Sequence, residues 1–345
     1  MSPSLKIALE KNTTRLYGRQ THVVSRPILS NIGPSVVVIL TPELKDTTLA
    51  NLWRLSFHQL RSQFQVFGVR AIAAPWIAAP LFLDSSHSFI YIANLACGNH
   101  QLAEQWNAWL HAWPETTKLI NSSSLLLWNT RKTYLQDLQK AGIPVIPTLY
   151  VEHIDEKTLI NAAAYFAMSD LIVKPQVGAS SFNMIRVLVD STDCISVPKS
   201  LSTFAAVAEL TRLGTVDSMM MLHPFMTSVV QEGEISVFVF GEKVGHAVRT
   251  KPQSNDYRIQ FEYDGITTTL KEISPEMLEL VHNVIVACPE TPVYARVDIM
   301  RNTETGCLCV SELELIEPGL FLEHAPDGGM TFVRAILQGS SINTI

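Results

Sequence analysis

Two short alternating segments near the C-terminus constrain what this chain can fold into more than any other feature. In Tyr294-Ala295-Arg296-Val297-Asp298-Ile299, strand pleating puts Arg296 and Asp298 on one face and Val297 and Ile299 on the other. A turn-like Asn302–Gly306 follows, then Ser311-Glu312-Leu313-Glu314-Leu315, where both glutamates share a face and the leucines point away. Two adjacent strands would therefore present three carboxylates and an arginine together. Such a face repels itself at low dielectric unless a cation neutralises it, and Mg²⁺ is the natural counter-ion for oxygen ligands. The alternative is the solvated face of an edge hairpin. Register decides: Asp298 and Glu312 share a face only where paired residue numbers add to an even number.

Three further segments carry chemistry. Val173-Lys174-Pro175-Gln176-Val177-Gly178-Ala179-Ser180-Ser181 ends an apolar run on a lysine, and a loop rich in small residues and donors follows. That is a phosphate cradle or an ordinary hairpin with a surface lysine; the Walker A and G-x-G-x-x-G patterns are absent. Met221-Leu222-His223-Pro224-Phe225, followed by Gly233-Glu234-Ile235-Ser236-Val237, suits an adenine beside a ribose-binding carboxylate, or plain core. Arg249 to Arg258 reads as a polar loop whose Arg249, Lys251 and Arg258 suit phosphate oxygens or solvent.

The first third alternates strands and helices. Val36–Leu40 and Phe89–Ala93 read as strands, and Leu52–Phe64 is a helix with Trp53, Phe57, Leu60 and Phe64 on one face. A second helix fits Leu102–Trp113, before Pro114, and the polar Asn121–Ser124 marks a seam. Beyond it Asn129 is a candidate N-cap for a helix over Lys132–Ala141, stopped by Gly142. Leu171–Lys174 and Met184–Val189 pair around Gly178, and Ser274-Pro275 starts a helix running to Ala287. This is α/β followed by α+β.

A length of 345 residues allows two or three domains, and a net charge of −6 without a basic stripe argues against nucleic acid. Cys97, Cys194, Cys288, Cys307 and Cys309 are scattered, which fits a reducing, cytoplasmic setting; Cys307 and Cys309 read as core strand residues rather than metal ligands. The start Met1–Lys6 has no apolar signal core, and the low-polarity run Ala71–Leu83 is half a membrane span broken by Pro75 and Pro80. No membrane partner is expected. His246, His282 and His324 read as ordinary histidines.

Taken in order, Lys132, Lys174 with its loop, Gly233-Glu234, Arg258, Arg296-Val297-Asp298 and Glu312-Leu313-Glu314 resemble the ATP-grasp superfamily over residues 123 to 323. Trp128 to Leu135, Pro147-Thr148 and Glu312 to Pro318 are most similar to the glutathione-synthetase/RimK-like group, and within it to the branch of the D-cycloserine-biosynthesis ligase. The resemblance implies an N-terminal α/β (pre-ATP-grasp) domain over 1–122. An ATP-grasp domain over 123–345 would follow, a lid subdomain (129–222) and a core subdomain (223–345) clasping ATP. It implies that Lys132, Lys174, Gly178, Ser180 and Ser181 hold phosphates, that Leu222, His223 and Phe225 surround adenine, and that Glu234 takes the ribose. Asp298, Glu312 and Glu314 would bind Mg²⁺ or Mn²⁺, while Arg258, Arg296 and Lys251 would steady the transferred phosphoryl group.

The implied activity is an ATP-dependent carboxylate–amine ligation through an acyl phosphate, with a small-molecule carboxylate and amine as partners; a homo-oligomer is compatible with it. A small-molecule kinase and a non-catalytic nucleotide-binding protein are the alternatives. Phe89 to Leu95 departs from the charged and aromatic pattern of that family, so the resemblance names no substrate.

Overall fold

Five consecutive apolar residues, Val36–Leu40, are buried almost completely, as a strand covered on both faces must be. They lie in β1 (Ser35–Thr41), which pairs in parallel with β2 (Arg70–Pro75) and β3 (Ser88–Ile92), and β4 (Lys118–Ile120) extends the sheet in the order β2-β1-β3-β4. The computed structural model describes residues 35–43, 50–79, 88–189, 199–253, 256–259 and 265–340. Expectations for Met1–Lys6, Pro80–Leu83, Cys194 and Ser254–Asn255 lie outside these residues.

The first expected helix forms over Ala50–Val66 and buries Trp53, Phe57, Leu60 and Phe64. The Ala71–Leu83 run, read only as a non-spanning apolar stretch, begins with β2 and a turn of 3₁₀ helix at Trp76–Ala78. The next helix is shorter than its sequence pattern, Ala103–His111 after a 3₁₀ turn at Asn99–Leu102. No helix among the described residues is long and apolar enough to cross a membrane.

A second sheet contains β5 (Leu149–Val151), β6 (Asp170–Pro175), β7 (Ile185–Leu188), β8 (Ser200–Ser202) and β9 (Met220–Pro224), in the order β5-β9-β6-β7-β8. A third holds β10 (Glu234–Phe240), β11 (Lys243–Lys251), β12 (Ile266–Thr269), β13 (Tyr294–Arg301) and β14 (Leu308–Glu314), in the order β12-β11-β10-β13-β14. The 222/223 division expected from sequence falls inside β9. The helix Tyr134–Lys140, inside the expected lid bounds, packs through Tyr134, Leu135 and Leu138 on the third sheet.

Three local expectations need correction. Asn129 caps nothing; it lies inside the helix Ser123–Thr130, which Ser122 caps through Leu125 N. Its amide donates to Leu313 O and its carbonyl accepts from Leu315 N, both at 2.9 Å. With the Tyr134 hydroxyl on Leu313 N, it covers the free edge of β14. At the polar seam, the buried side chain of Asn121 bonds Tyr294 O, Leu315 O and Val293 N. Arg249 and Lys251 belong to β11 rather than to a loop. Cys309 is core, but Cys307 is exposed in the turn before β14. By contrast, the helix Pro275–Ala287 begins as read, with Ser274 accepting from Met277 N.

Gly233 enters β10 at φ +91°, and a Cβ there would lie 2.8 Å from Thr250 O and 2.9 Å from Lys251 Cγ. Strain and overlap both oppose a side chain. Gly233→Ala should lower unfolding free energy by about 2–4 kcal/mol; a loss below about 1 kcal/mol in urea titration would show that the strand entry adapts.

Candidate active site

The hairpin β13–β14 adopts the even register: Arg296 faces Glu314 and Asp298 faces Glu312. A bulge directly after Asp298 then switches the pairing, so that Ile299 meets Val310. Had the outer register continued inward, the acids would have fallen on opposite faces. Because β10 pairs Ser236 with Asp298, Glu234 joins the same face by strand periodicity.

Side chains then tie the acids together. Arg296 donates to both oxygens of Asp298 through Nε and through Nη2 (2.8 Å), and Nη2 also reaches Glu314 at 2.6 Å. Ser236 Oγ donates to Asp298 and Ser311 Oγ to Glu234. Lys132 Nζ sits 3.0 Å from Glu312 and also donates to the carbonyl of Gly178, so one lysine joins the third sheet to the loop after β6. Its backbone N–H donates to Gln176 O, and its carbonyl accepts from the Tyr150 hydroxyl. Lys174, at the end of β6, pairs across to Met221 of β9.

The charges do not balance: Lys132, Lys174 and Arg296 meet Glu234, Asp298, Glu312 and Glu314. Burial, reinforced by Asp298, pushes Glu234 up to about 8, and burial with the charge of Glu312 does the same to Glu314. Burial would also raise Glu312, but Lys132, Lys174 and Arg296 outweigh it and hold that group below the usual range. Lys174 is pulled down by burial, against the attraction of Glu312. A site short of positive charge and lined by carboxylate oxygens has the chemistry of a hard-cation site. As placed, Arg296 bridges Asp298 and Glu314, and no group of three His, Cys, Asp or Glu among the described residues converges to hold a metal.

The other expected residues distribute unevenly. Ser180 and Ser181 adopt left-handed backbone, φ 50° and 56°, as does Asn183, which makes the loop after Gly178 a strained, tightly wound segment. His223 is buried in β9 with neither ring nitrogen hydrogen-bonded, and burial and Lys174 keep it neutral. Leu222 packs into the core of the second sheet. Phe225 carries the Arg186 guanidinium 3.5 Å over its ring and meets Tyr257 edge-on, so one of its faces is taken. Arg258 folds back onto Asp256, and Lys251 reaches Gln231 O; these bonds are local and do not join the acid cluster. His246 is a core histidine stacked on Phe238, His324 bonds Thr269, and His282 is exposed.

Several contributors went unread in the sequence. Ser236 was legible in principle, two residues after Glu234 on an alternating strand. Ser311 was hidden by the bulge. Gln176, almost fully buried and bonded to Met220 O, looked like loop. Asn99, Cys97 and Glu317 come together only through the tertiary fold.

A parallel α/β sheet before two further sheets, antiparallel apart from the β7–β8 pair, with Lys174 of the second sheet and Lys132 beside the acids of the third, is the ATP-grasp fold, as the likeness to solved structures shows. Among solved structures the chain is similar to D-cycloserine synthetase DcsG, with a TM-score of 0.71 at 20% identity over 88% of this chain and 99% of that one. The ATP-grasp ligase PsnB with minimal precursor, Mg and ADP gives 0.57 at 17%, over 90% and 100% of the two chains. D-alanine–D-alanine ligase from Bacillus anthracis complexed with ATP gives 0.58 at 13%, over 90% and 98%. In sequence, the cycloserine biosynthesis protein DcsG of Streptomyces lavendulae is 27% identical over 237 residues, 64% of this chain and 73% of that protein. No protein-family model matches the chain.

Proposed function

We propose that the chain is an ATP-dependent ligase that joins a small carboxylate to an amine through an acyl phosphate. The observation that carries this is the double contact of Lys132, which ties the loop after β6 to Glu312 and so gathers loop, lysines and acids at one cleft. The similarity to DcsG, PsnB and D-alanine–D-alanine ligase supports it.

Phosphoryl transfer asks for positioning and charge neutralisation rather than for a protein nucleophile. Lys132 and Lys174 neutralise nucleotide phosphates, and the loop from Gly178 to Ser181 covers them and excludes water. Glu234 would take the ribose hydroxyls, and the β9 backbone around His223 would face adenine. Asp298, Glu312 and Glu314 are the residues that would hold Mg²⁺ once Arg296 released its two carboxylates, and the ion would supply charge neutralisation to the polyphosphate. A substrate carboxylate oxygen attacks the γ-phosphorus, and ADP leaves with the bridging electron pair. The amine then attacks the acyl carbon, the C–N bond forms, and phosphate departs. Arg296 is the cation beside the acyl phosphate; Arg258 and Lys251 would have to turn from their local partners to assist.

ADP and phosphate release, measured across a matrix of amino acids and amines, tests this. Phosphate released only when carboxylate and amine are both present is the expected result. A phosphorylated hydroxyl product would support a kinase instead, and AMP with pyrophosphate would refute the acyl phosphate.

A further inference from the structure

Glu317 lies three residues beyond Glu314, within reach of the charge of Lys132, and takes no part in the chemistry above. One of its oxygens accepts from the Asn99 amide at 2.7 Å, and the Cys97 thiol donates to the carboxylate. Both donors follow β3, at the carboxyl end of the parallel sheet, and the buried Asn99 is itself locked by a bond to Ala96 O. The segment carrying Glu317 is anchored on either side. Ile316 packs in the N-terminal core and its carbonyl accepts from the Tyr294 hydroxyl, while a Cβ added at Gly319 would lie 3.7 Å from Arg296 Nη1. Glu317 is thus held beside the N-terminal core, two residues before the glycine next to Arg296.

Its partners differ in kind from those of the neighbouring acids. Asp298 and Glu314 share Arg296, and Glu312 has Lys132; Glu317 has only neutral donors, with no ion pair among the described residues. The charged and titratable groups facing it are Cys97, Lys132 at longer range, and Tyr294. His100, beside Asn99, is pushed down to about 4 by burial and by Lys132, so it brings no charge. Its ring also meets Phe182 of the loop after β6, at 5.3 Å, which places this corner under the same cover.

A half-buried carboxylate fixed by neutral donors lacks one thing, a mobile cation. An ammonium group has the matching chemistry, because it brings a positive charge, several donors, and a proton that must leave before nitrogen can attack. We propose that Glu317 seats the amine substrate, pairing with its ammonium and accepting the proton that frees the nitrogen lone pair. The proposal rests on the ligase reading above. In the step, the N–H bond breaks and Glu317 becomes the neutral acid. Nitrogen forms the C–N bond, the C–O bond to phosphate breaks with its electrons, and the second nitrogen proton goes to the departing phosphate. Burial pushes Glu317 up to about 8, close to an amine, so the transfer runs between matched groups. A protonated Glu317 with a neutral amine carries the same protons as carboxylate with ammonium, so the resting acid does not block entry.

The test supplies ATP, Mg²⁺ and a pool of L- and D-amino acids, with and without hydroxylamine, an acceptor that is already neutral at pH 7.5. Glu317→Gln should lose at least about a hundredfold in amine-dependent ADP release and keep most hydroxamate formation. Glu317→Asp should recover part of the amine reaction, and the step near pH 8 in the wild-type pH profile should vanish in Glu317→Gln. Equal loss in both arms, or no loss in the amine arm, overturns the assignment of Glu317 while leaving the ligase intact. A wild-type protein that turns over in neither arm removes the ligase reading and this proposal with it.

Discussion

Asp298→Asn and Glu312→Gln are each expected to lower turnover about a thousandfold at millimolar Mg²⁺, roughly 4 kcal/mol of transition-state stabilisation. Both residues face the cleft from directly paired positions of β13 and β14. The protein should stay folded, because the site holds one acid more than its three cations balance. Asp298 is the main charge raising Glu234, so neutralising it relieves a neighbour even as Arg296 loses part of its fork on Asp298. Arg296 keeps Glu314. ADP release and thermal melting of the two variants measure the effect. Near-normal turnover in both would sink the assignment of these carboxylates to the metal.

Lys174→Met should weaken ATP binding by about 30- to 100-fold, the 2–3 kcal/mol that goes with losing a charged hydrogen bond. Its amine is drawn below the ordinary lysine range by burial, so it is poorly solvated and has much to gain from a phosphate. The substitution should not unfold the protein, since methionine preserves the length of the stem and removes a buried charge. Calorimetric titration with ATP decides; an unchanged dissociation constant would place the phosphates elsewhere. Lys132 makes a less clean probe, because it also holds the Gly178 carbonyl and Glu312.

Much of the fold was legible because its signals are local. The period-two alternation of Arg296 to Ile299 and of Ser311 to Leu315 became β13 and β14, and the Ser274-Pro275 start became a capped helix. Asn129 shows the limit. Its type suits a helix cap, yet the edge of β14 offered it two backbone partners, and that long-range pair of bonds outcompeted the local one. Arg249 and Lys251 failed in a similar way: polar residues suggested a loop, but an antiparallel ladder on both sides of β11 kept them in a strand.

The carboxylate face of β13 and β14 marks the division between sequence and structure. Alternation alone decided that Arg296 shares a face with Asp298, and Glu312 with Glu314, because successive side chains of a strand must point to opposite sides. Whether those two faces coincide was a matter of register, which depends on a turn and a bulge rather than on either segment. The bulge after Asp298 shifts the pairing by one residue and brings the acids together. The same holds for Glu317. Its charge is written in the chain, but its neutral partners Asn99 and Cys97 lie more than two hundred residues away and meet it only when the N-terminal sheet packs beside the third.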